Sequence, residues 1–139
     1  MSAGIHFRDA RAPAGMRLYA IGDVHGRLDL LSALHELIRS DLERDRPDDW
    51  RVIHLGDYID RGPDSKGVID LLIEAQGRDS RFMCLGGNHD AGLIDFLAAP
   101  STDSLFIRYG GVETARSYGV LYAGADGLHP FHEALGAAM

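Results

Sequence analysis

Three short polar motifs, each directly after an apolar run, constrain the fold of this chain more than any other feature. The motifs are residues 22–26 (GDVHG), 56–62 (GDYIDRG) and 87–90 (GNHD). The apolar runs that precede them are short and typical of buried strands. Glycine beside each polar group permits a sharp turn at the end of the strand. The pattern therefore predicts three strands that bring metal-ligating side chains to one edge of a sheet.

The segments between the motifs have the spacing of amphipathic helices. Residues 28–43 repeat apolar positions at helical intervals, and Asp29 near their start suits the positive end of a helix dipole. A second helix is predicted from a cap at Asp64 or Ser65 to an end at Gly77. The predicted strands are residues 16–22, 51–55 and 81–85. This alternation of strand and helix predicts an α/β fold with a parallel, buried sheet and right-handed crossovers.

Beyond the third motif the sequence predicts helices and no further strand. The predicted helical stretches are residues 93–97, 106–118 and 129–138. Residues 1–15 lack any periodicity and are predicted to form a flexible tail. The folded domain is therefore predicted over residues 16–139.

Composition limits the classes of partner that this chain can bind. Its 139 residues carry a formal net charge of -7, so a basic surface for nucleic acid is not expected. The N-terminal residues lack an apolar stretch of the length of a signal peptide or membrane span, so we expect a cytoplasmic protein without membrane contact. The one cysteine, Cys84, is predicted to pack in a strand, and His35 and His54 are predicted to be structural.

The first motif offers two metal ligands one residue apart. Asp23 and His25 point to the same side of an extended segment, so both can bind one ion. Asp57 follows the second strand in the equivalent position, and its carboxylate can bridge two ions. Asn88, after the third strand, offers a neutral carbonyl oxygen to the second ion. These ligands predict two divalent metal ions, with Mn²⁺ preferred and Fe or Zn²⁺ as alternatives.

Other side chains of the same motifs suit the chemistry of a phosphate ester. Arg61 is a permanently charged planar fork that can bind two phosphate oxygens, and Asn88 is a second predicted substrate-binding residue. His89 can protonate a leaving alkoxide, while Asp60 can orient His89 and stabilise its protonated form. We therefore predict hydrolysis by a metal-activated water, without a covalent enzyme intermediate.

Taken together, the three motifs resemble those of the calcineurin-like metallophosphoesterases. The forms GDxxDRG and GNHD are most similar to the serine/threonine-phosphatase branch, including bacterial and phage members and the symmetric diadenosine-tetraphosphate hydrolases. Residues 109–120 (YGGVETARSYGV) also resemble the bacterial phosphatase pattern. The resemblance extends over residues 18–132 and implies a β-sandwich flanked by helices.

The resemblance implies the same roles that the residues themselves suggest. It implies that Arg61 holds phosphate and that His89 and Asp60 form the acid dyad. It also implies two metal ions with shared ligands. These implied ligands are Asp23, His25 and Asp57 for the first metal, and Asp57 and Asn88 for the second.

The chain departs from the family pattern in its later histidines. Two further metal-ligating histidines of the family occur in strings of the kind HAG and GHT, and neither string occurs here. We therefore expect the chain to hold only the first half of the fold. We also expect weakened metal binding, above all at the second site, and low or absent activity. The missing strands should leave an apolar sheet face open, which predicts self-association.

The sequence leaves three functions open. The first is a phosphatase that acts on phosphorylated proteins, at phosphoserine or phosphothreonine, or on small phosphoesters. The second keeps the chemistry and changes the substrate to a dinucleoside polyphosphate. The third is an inactive fragment that acts as a binding or assembly module.

Overall fold

The computed structural model of the protein describes residues 11–139, apart from the side chain of Ala125. Most of the tail predicted at residues 1–15 lies outside the described residues, and its last five residues contain neither helix nor strand. The described chain runs through three strands alternating with two α-helices, followed by four more α-helices. The α/β class predicted from the sequence is confirmed.

The three strands form one parallel sheet in the order β1-β2-β3. They are β1 (Met16–Ile21), β2 (Asp49–His54) and β3 (Phe82–Cys84). In the register of the sheet, Ile21 lies beside His54, and His54 lies beside Cys84. The strands therefore end level with one another, and the three polar motifs leave the sheet at the same edge.

Two helices cover one face of this sheet. They are α1 (Leu28–Asp45) and α2 (Ser65–Arg78), each close to its predicted bounds. The Asp64 carboxylate caps α2 by accepting the Gly67 N–H at 2.8 Å. Gly77, the predicted end, lies inside the last turn. In the described chain, none of the helices combines the length and the apolar character that a membrane span needs.

The remaining helices follow the third motif. They are α3 (Asn88–Ala98), α4 (Leu105–Arg108), α5 (Gly111–Ser117) and α6 (Leu128–Ala138). Helix α3 begins five residues before the apolar pattern predicts, because the Asp90 carboxylate accepts the Gly87 N–H at 2.9 Å and stabilises the first turn. Asn88 and His89 therefore belong to a helix, not to a free loop.

The two faces of the sheet differ in exposure. On the helix side Val52 and His54 are fully buried. On the other side Leu18, Met83 and the two leucines just past β2 and β3 keep 42–50% of their surface exposed. The expectation of a buried sheet is therefore correct for one face only, because no described segment packs on the other.

Two histidines face each other between α1 and the sheet. The Nδ1–H of His54 donates to the Met83 carbonyl at 3.2 Å, so His54 Nε2 accepts a hydrogen bond from His35 Nε2 at 2.9 Å. Burial and the neighbouring His54 lower the pKa of His35 to about 4, and burial also lowers the pKa of His54. Both rings are therefore held neutral in the folded protein.

This neutral pair should make the fold sensitive to mild acid. The unfolded chain binds protons at these histidines near pH 6.5, whereas the folded chain does so only at lower pH, so stability falls as pH drops from about 6.5 toward 4. We expect the free energy of unfolding to fall by about 1–2 kcal/mol between pH 7 and pH 5 through His35. Urea titrations at both pH values should show this fall. His35→Gln should reduce it, whereas His129→Gln, at an exposed position, should not.

Candidate active site

The loops that follow β1 and β2 are joined by backbone hydrogen bonds. The N–H groups of Val24 and His25 both donate to the Asp57 carbonyl, at 3.0 and 2.9 Å, and the Gly26 N–H donates to the Tyr58 carbonyl at 2.8 Å. The two loops therefore form one unit at the edge of the sheet. This unit fixes the first and second polar motifs relative to each other.

Several residues of this unit have left-handed backbone conformations. His25, Asp57, Asp60 and Arg61 have φ angles of 45°, 52°, 71° and 66°. A non-glycine residue in this region carries a conformational cost, and such residues cluster where the surrounding structure and the function require them. All four are residues that the sequence predicts to act in the site.

The third motif approaches the second too closely for any side chain at its glycine. A Cβ atom on Gly87 would lie 2.2 Å from Asp57 Oδ1 and 2.3 Å from the Asp57 nitrogen. The neighbouring His89 N–H donates to the same Asp57 Oδ1 at 2.9 Å. The absence of a side chain at Gly87 therefore lets α3 begin against the Asp57 carboxylate.

The rings of His25 and His89 are fixed with the same nitrogen toward the site. His25 Nδ1 donates to the Ile59 carbonyl at 2.8 Å, and His89 Nδ1 donates to Asp60 Oδ2 at 2.7 Å. Each acceptor has no proton to give, so each Nδ1 carries the proton and each Nε2 offers a lone pair. This tautomer is the one that a metal-ligating or proton-accepting Nε2 requires.

The guanidinium of Arg61 lies between these two nitrogens. Its Nη1 is 3.0 Å from His25 Nε2, and its Nη2 is 2.9 Å from His89 Nε2. Arginine can only donate, so both imidazoles accept. The two rings lie edge to face, with centroids 4.7 Å apart. The point between them thus already holds a positive charge.

Three potential ligand atoms surround this point. One atom each from His25, Asp57 and His89 lie within 4.8 Å of one another. Two imidazole lone pairs and a carboxylate form a mixed nitrogen and oxygen set that divalent transition metals bind. The residues present therefore fit a divalent metal ion.

The other two predicted ligands are exposed residues. Asp23 Oδ2 is 3.9 Å from His25 Nε2, on a side chain that is 69% exposed. Asn88 is exposed in the first turn of α3, beside His89. The structure thus brings together His25, Asp57 and His89, with Asp23 at the margin. The sequence predicts proton transfer for His89 and gives no sign of its place beside His25 and Asp57.

The predicted dyad of Asp60 and His89 is buried. Asp60 is fully buried and His89 is 3% exposed. Burial raises the pKa of Asp60 above its usual value, while hydrogen bonds from His89 and Thr114 oppose the rise. The carboxylate accepts from His89 on Oδ2 and from the Thr114 hydroxyl on Oδ1, at 2.7 Å each.

Asp90 is a further residue of the site, for which the sequence predicts no role. Its carboxylate accepts the N–H groups of Asp57 at 2.8 Å, Tyr58 at 3.0 Å and Gly87 at 2.9 Å. Asp90 therefore ties the second motif to the start of α3. Its place three residues after Gly87 is typical of a carboxylate that stabilises a helix N-terminus. This spacing is the sequence feature that could have indicated its role.

Comparison with known proteins decides which family this site belongs to. Residues 16–133 match the family model described as calcineurin-like phosphoesterase. The chain belongs to the calcineurin-like phosphoesterase family. The matched residues include all three polar motifs and helices α1 to α5, so the family assignment rests on the whole candidate site.

Curated relatives of this calcineurin-like phosphoesterase carry two different names. Serine/threonine-protein phosphatase 1 of Salmonella typhimurium is 33% identical over 94 residues, which are 68% of this chain and 38% of the relative. Symmetrical bis(5'-nucleosyl)-tetraphosphatases are 40% identical in Pseudomonas fluorescens strain Pf-5 and 39% in Nitrosospira multiformis, each over 79 residues. Those matches cover 57% of this chain and 25–26% of the relatives. The chain thus aligns with between a quarter and two fifths of these relatives.

Proposed function

We propose that this chain carries part of a metal-dependent phosphoesterase site that hydrolyses phosphomonoesters, with the cytoplasm as its location. The observation that carries the proposal is the convergence of His25 Nε2, His89 Nε2 and the Asp57 carboxylate beside the Arg61 guanidinium. Atoms that can bind a cation therefore lie beside a guanidinium group that can bind phosphate. This combination suits phosphoryl transfer better than any other reaction class.

Metal ions are an essential part of this proposal. We propose that His25 and Asp57, with Asp23, hold a first divalent ion, and that Asp57 and Asn88 contribute to a second. Mn²⁺ is the preferred metal. When bound, such ions polarise phosphoryl oxygens and lower the pKa of a bound water.

The chain's own residues would then bind the ester and move a proton. Arg61, released from the two imidazoles by a cation at that point, would bind phosphate oxygens with its fork. Asp60 holds the His89 ring by its Nδ1–H, so Nε2 faces the bound ester. His89 is not one of the proposed ligands, so its Nε2 would remain free to carry a proton and pass it to the leaving alkoxide.

We propose phosphoserine and phosphothreonine in proteins as the substrate class. The support is the relative named serine/threonine-protein phosphatase 1, whose match covers 68% of this chain. A dinucleoside polyphosphate is the second candidate, supported by the 39–40% identity to the symmetrical tetraphosphatases. A phosphothreonine peptide and diadenosine tetraphosphate, offered at equal concentration with Mn²⁺, distinguish the two. Faster release of phosphate from the peptide supports the first, and faster appearance of nucleoside diphosphate overturns it.

Hydrolysis of an aryl phosphate tests the proposed chemistry. With Mn²⁺ added we expect slow hydrolysis by this chain and a fall of at least about 100-fold in kcat for His89→Asn, because the proton donor is lost. His129→Asn is the matched control, since the His129 side chain is exposed and lies 3.4 Å from the Glu133 carboxylate. Equal rates for His89→Asn and the unchanged protein would contradict the proposal. No hydrolysis with any divalent metal would favour the inactive binding module.

We also propose that the chain self-associates through its open sheet face. Leu18, Leu55, Met83 and Leu85 are exposed apolar side chains on this face, which a second copy could cover. Sedimentation velocity should show dimers or larger species at micromolar concentration. Leu18→Glu together with Met83→Lys should shift the protein to monomer, whereas Ile94→Lys on α3, also exposed, should not. A monomer at every concentration would contradict this interface.

A further inference from the structure

Thr114 on α5 makes a dense set of contacts with one residue of the site. It is fully buried and lies 54 positions along the chain from Asp60. Its hydroxyl donates to Asp60 Oδ1 at 2.7 Å, and its oxygen accepts the Asp60 N–H at 2.8 Å. One hydroxyl thus holds both the backbone and the carboxylate of Asp60.

Ser65 completes the hydrogen bonding of this hydroxyl. Ser65 Oγ lies 3.1 Å from Thr114 Oγ1 and is itself fully buried. The Thr114 proton is committed to Asp60, so the Ser65 hydroxyl donates to Thr114. Ser65 Oγ also accepts the Asp60 N–H at 3.2 Å. Thr114 therefore donates once and accepts twice, which uses its whole capacity and leaves the hydroxyl no freedom to rotate.

We propose that Thr114 is a positioning residue that sets the orientation of the Asp60 carboxylate, and through it the ring of His89. The role rests on the proposed phosphoesterase function. Asp60 has a φ angle of 71°, a conformation that a non-glycine residue adopts only when its surroundings hold it there. The N–H bond to Thr114 helps to hold it. With Oδ1 fixed by Thr114, Oδ2 remains directed at His89 Nδ1, 2.7 Å away.

A role limited to docking α5 would not need these bonds. The helix already contacts the same loop through the Gly110 carbonyl, which accepts the Arg61 N–H at 3.2 Å, and through Ser117 Oγ, which accepts the Lys66 N–H at 3.0 Å. Neither of these contacts touches the Asp60 carboxylate. The hydrogen bond from Thr114 to Asp60 Oδ1 is the contact that affects the orientation of His89. A variant that lacks this bond therefore distinguishes a positioning role of Thr114 from a role in docking α5.

The proposal predicts a specific effect of Thr114→Val. Valine has nearly the shape of threonine and lacks the hydroxyl, so Oδ1 loses its donor and the carboxylate can turn. We expect kcat for an aryl phosphate to fall about 10–100-fold with KM changed less than about twofold, because proton delivery by His89 is impaired and phosphate binding by Arg61 is not. Thr114→Ser keeps the hydroxyl and should restore most of kcat. Thr102→Val, at the chain's other threonine, should have no effect.

Proton NMR of the Nδ1–H of His89 tests the proposal without need of activity. A hydrogen bond to a buried carboxylate gives a slowly exchanging, strongly downfield imidazole resonance, which His89→Asn identifies by its disappearance. We expect Thr114→Val to lose or shift this resonance and Thr114→Ser to keep it. An unchanged resonance in Thr114→Val would overturn the proposal. Should that variant fail to fold, the same NMR measurement on Thr114→Cys tests the proposal, because a thiol is a much weaker hydrogen-bond donor than a hydroxyl.

The two readouts separate this proposal from the proposed function. If no variant hydrolyses any phosphoester but the resonance responds as expected, the phosphoesterase function fails and the positioning of His89 through Asp60 stands. If hydrolysis depends on His89 while Thr114→Val leaves both kcat and the resonance unchanged, the function stands and the role of Thr114 is overturned.

Discussion

Asp57→Asn should reduce the affinity of this chain for Mn²⁺ by at least about 100-fold and abolish any phosphoester hydrolysis. Substitution of a residue that only hydrogen-bonds to a metal ligand typically lowers metal affinity by about 10–100-fold. Loss of a charged ligand should therefore lower the affinity further. The change is nearly isosteric. The asparagine oxygen can still accept the His89 N–H that Asp57 Oδ1 accepts at 2.9 Å. The loss would therefore reflect the missing charge.

Isothermal titration calorimetry with Mn²⁺ measures this effect. Asp103→Asn, which makes the same chemical change in the loop before α4, should bind Mn²⁺ like the unchanged protein. We expect one measurable site in the unchanged protein, since the second ion has just two proposed ligands, Asp57 and Asn88. Two tight sites per chain would contradict the account of an incomplete second site. Equal affinity in Asp57→Asn would remove Asp57 from the ligand set.

Asp90→Ala should weaken both the fold and the site while leaving all proposed ligands in place. It removes the acceptor of three backbone N–H groups, those of Asp57, Tyr58 and Gly87. Hydrogen bonds to a charged group contribute about 1.5–3 kcal/mol each, and water can replace part of that at half-buried groups. We expect the free energy of unfolding to fall by about 3 kcal/mol, together with a loss of Mn²⁺ affinity of about 10–100-fold.

Urea denaturation and calorimetry on the same sample test both expected losses. Asp95→Ala, at an exposed position later in α3, is the matched control and should change neither quantity appreciably. Loss of stability with unchanged Mn²⁺ affinity would show that Asp90 supports the helix but not the site. Unchanged stability would contradict its role as the link between the second and third motifs.

The sequence predicts the site well where the signal is local. The three strands, and the polar motif after each, follow from apolar runs and glycines that lie within a few residues of each other. Parallel strands then meet at one edge, so the approach of His25 to Asp57 could be expected. The cap of α2 is local as well, and the structure places it at Asp64, one of the two predicted positions.

The features that the sequence does not predict depend on distant contacts. Asp60 and Arg61 have left-handed backbone conformations, which glycine adopts most readily. Tertiary hydrogen bonds, such as that from the Asp60 N–H to Thr114, override this preference. Thr114 lies 54 residues from the carboxylate it holds, in a segment whose periodicity indicates only a broken helix. The place of His89 in the ligand group depends on the early start of α3, which the apolar pattern misses.

The central claim is that the loops after the three strands bring His25 and Asp57 around a point that accepts a divalent cation, with His89 beside it. Crystals soaked in Mn²⁺ and measured at the manganese absorption edge test it most directly. The account predicts an anomalous peak at coordination distance from His25 Nε2 and from a carboxylate oxygen of Asp57, with Arg61 turned away from the two imidazoles. A manganese peak bound elsewhere, with Arg61 still bridging His25 and His89, would contradict it.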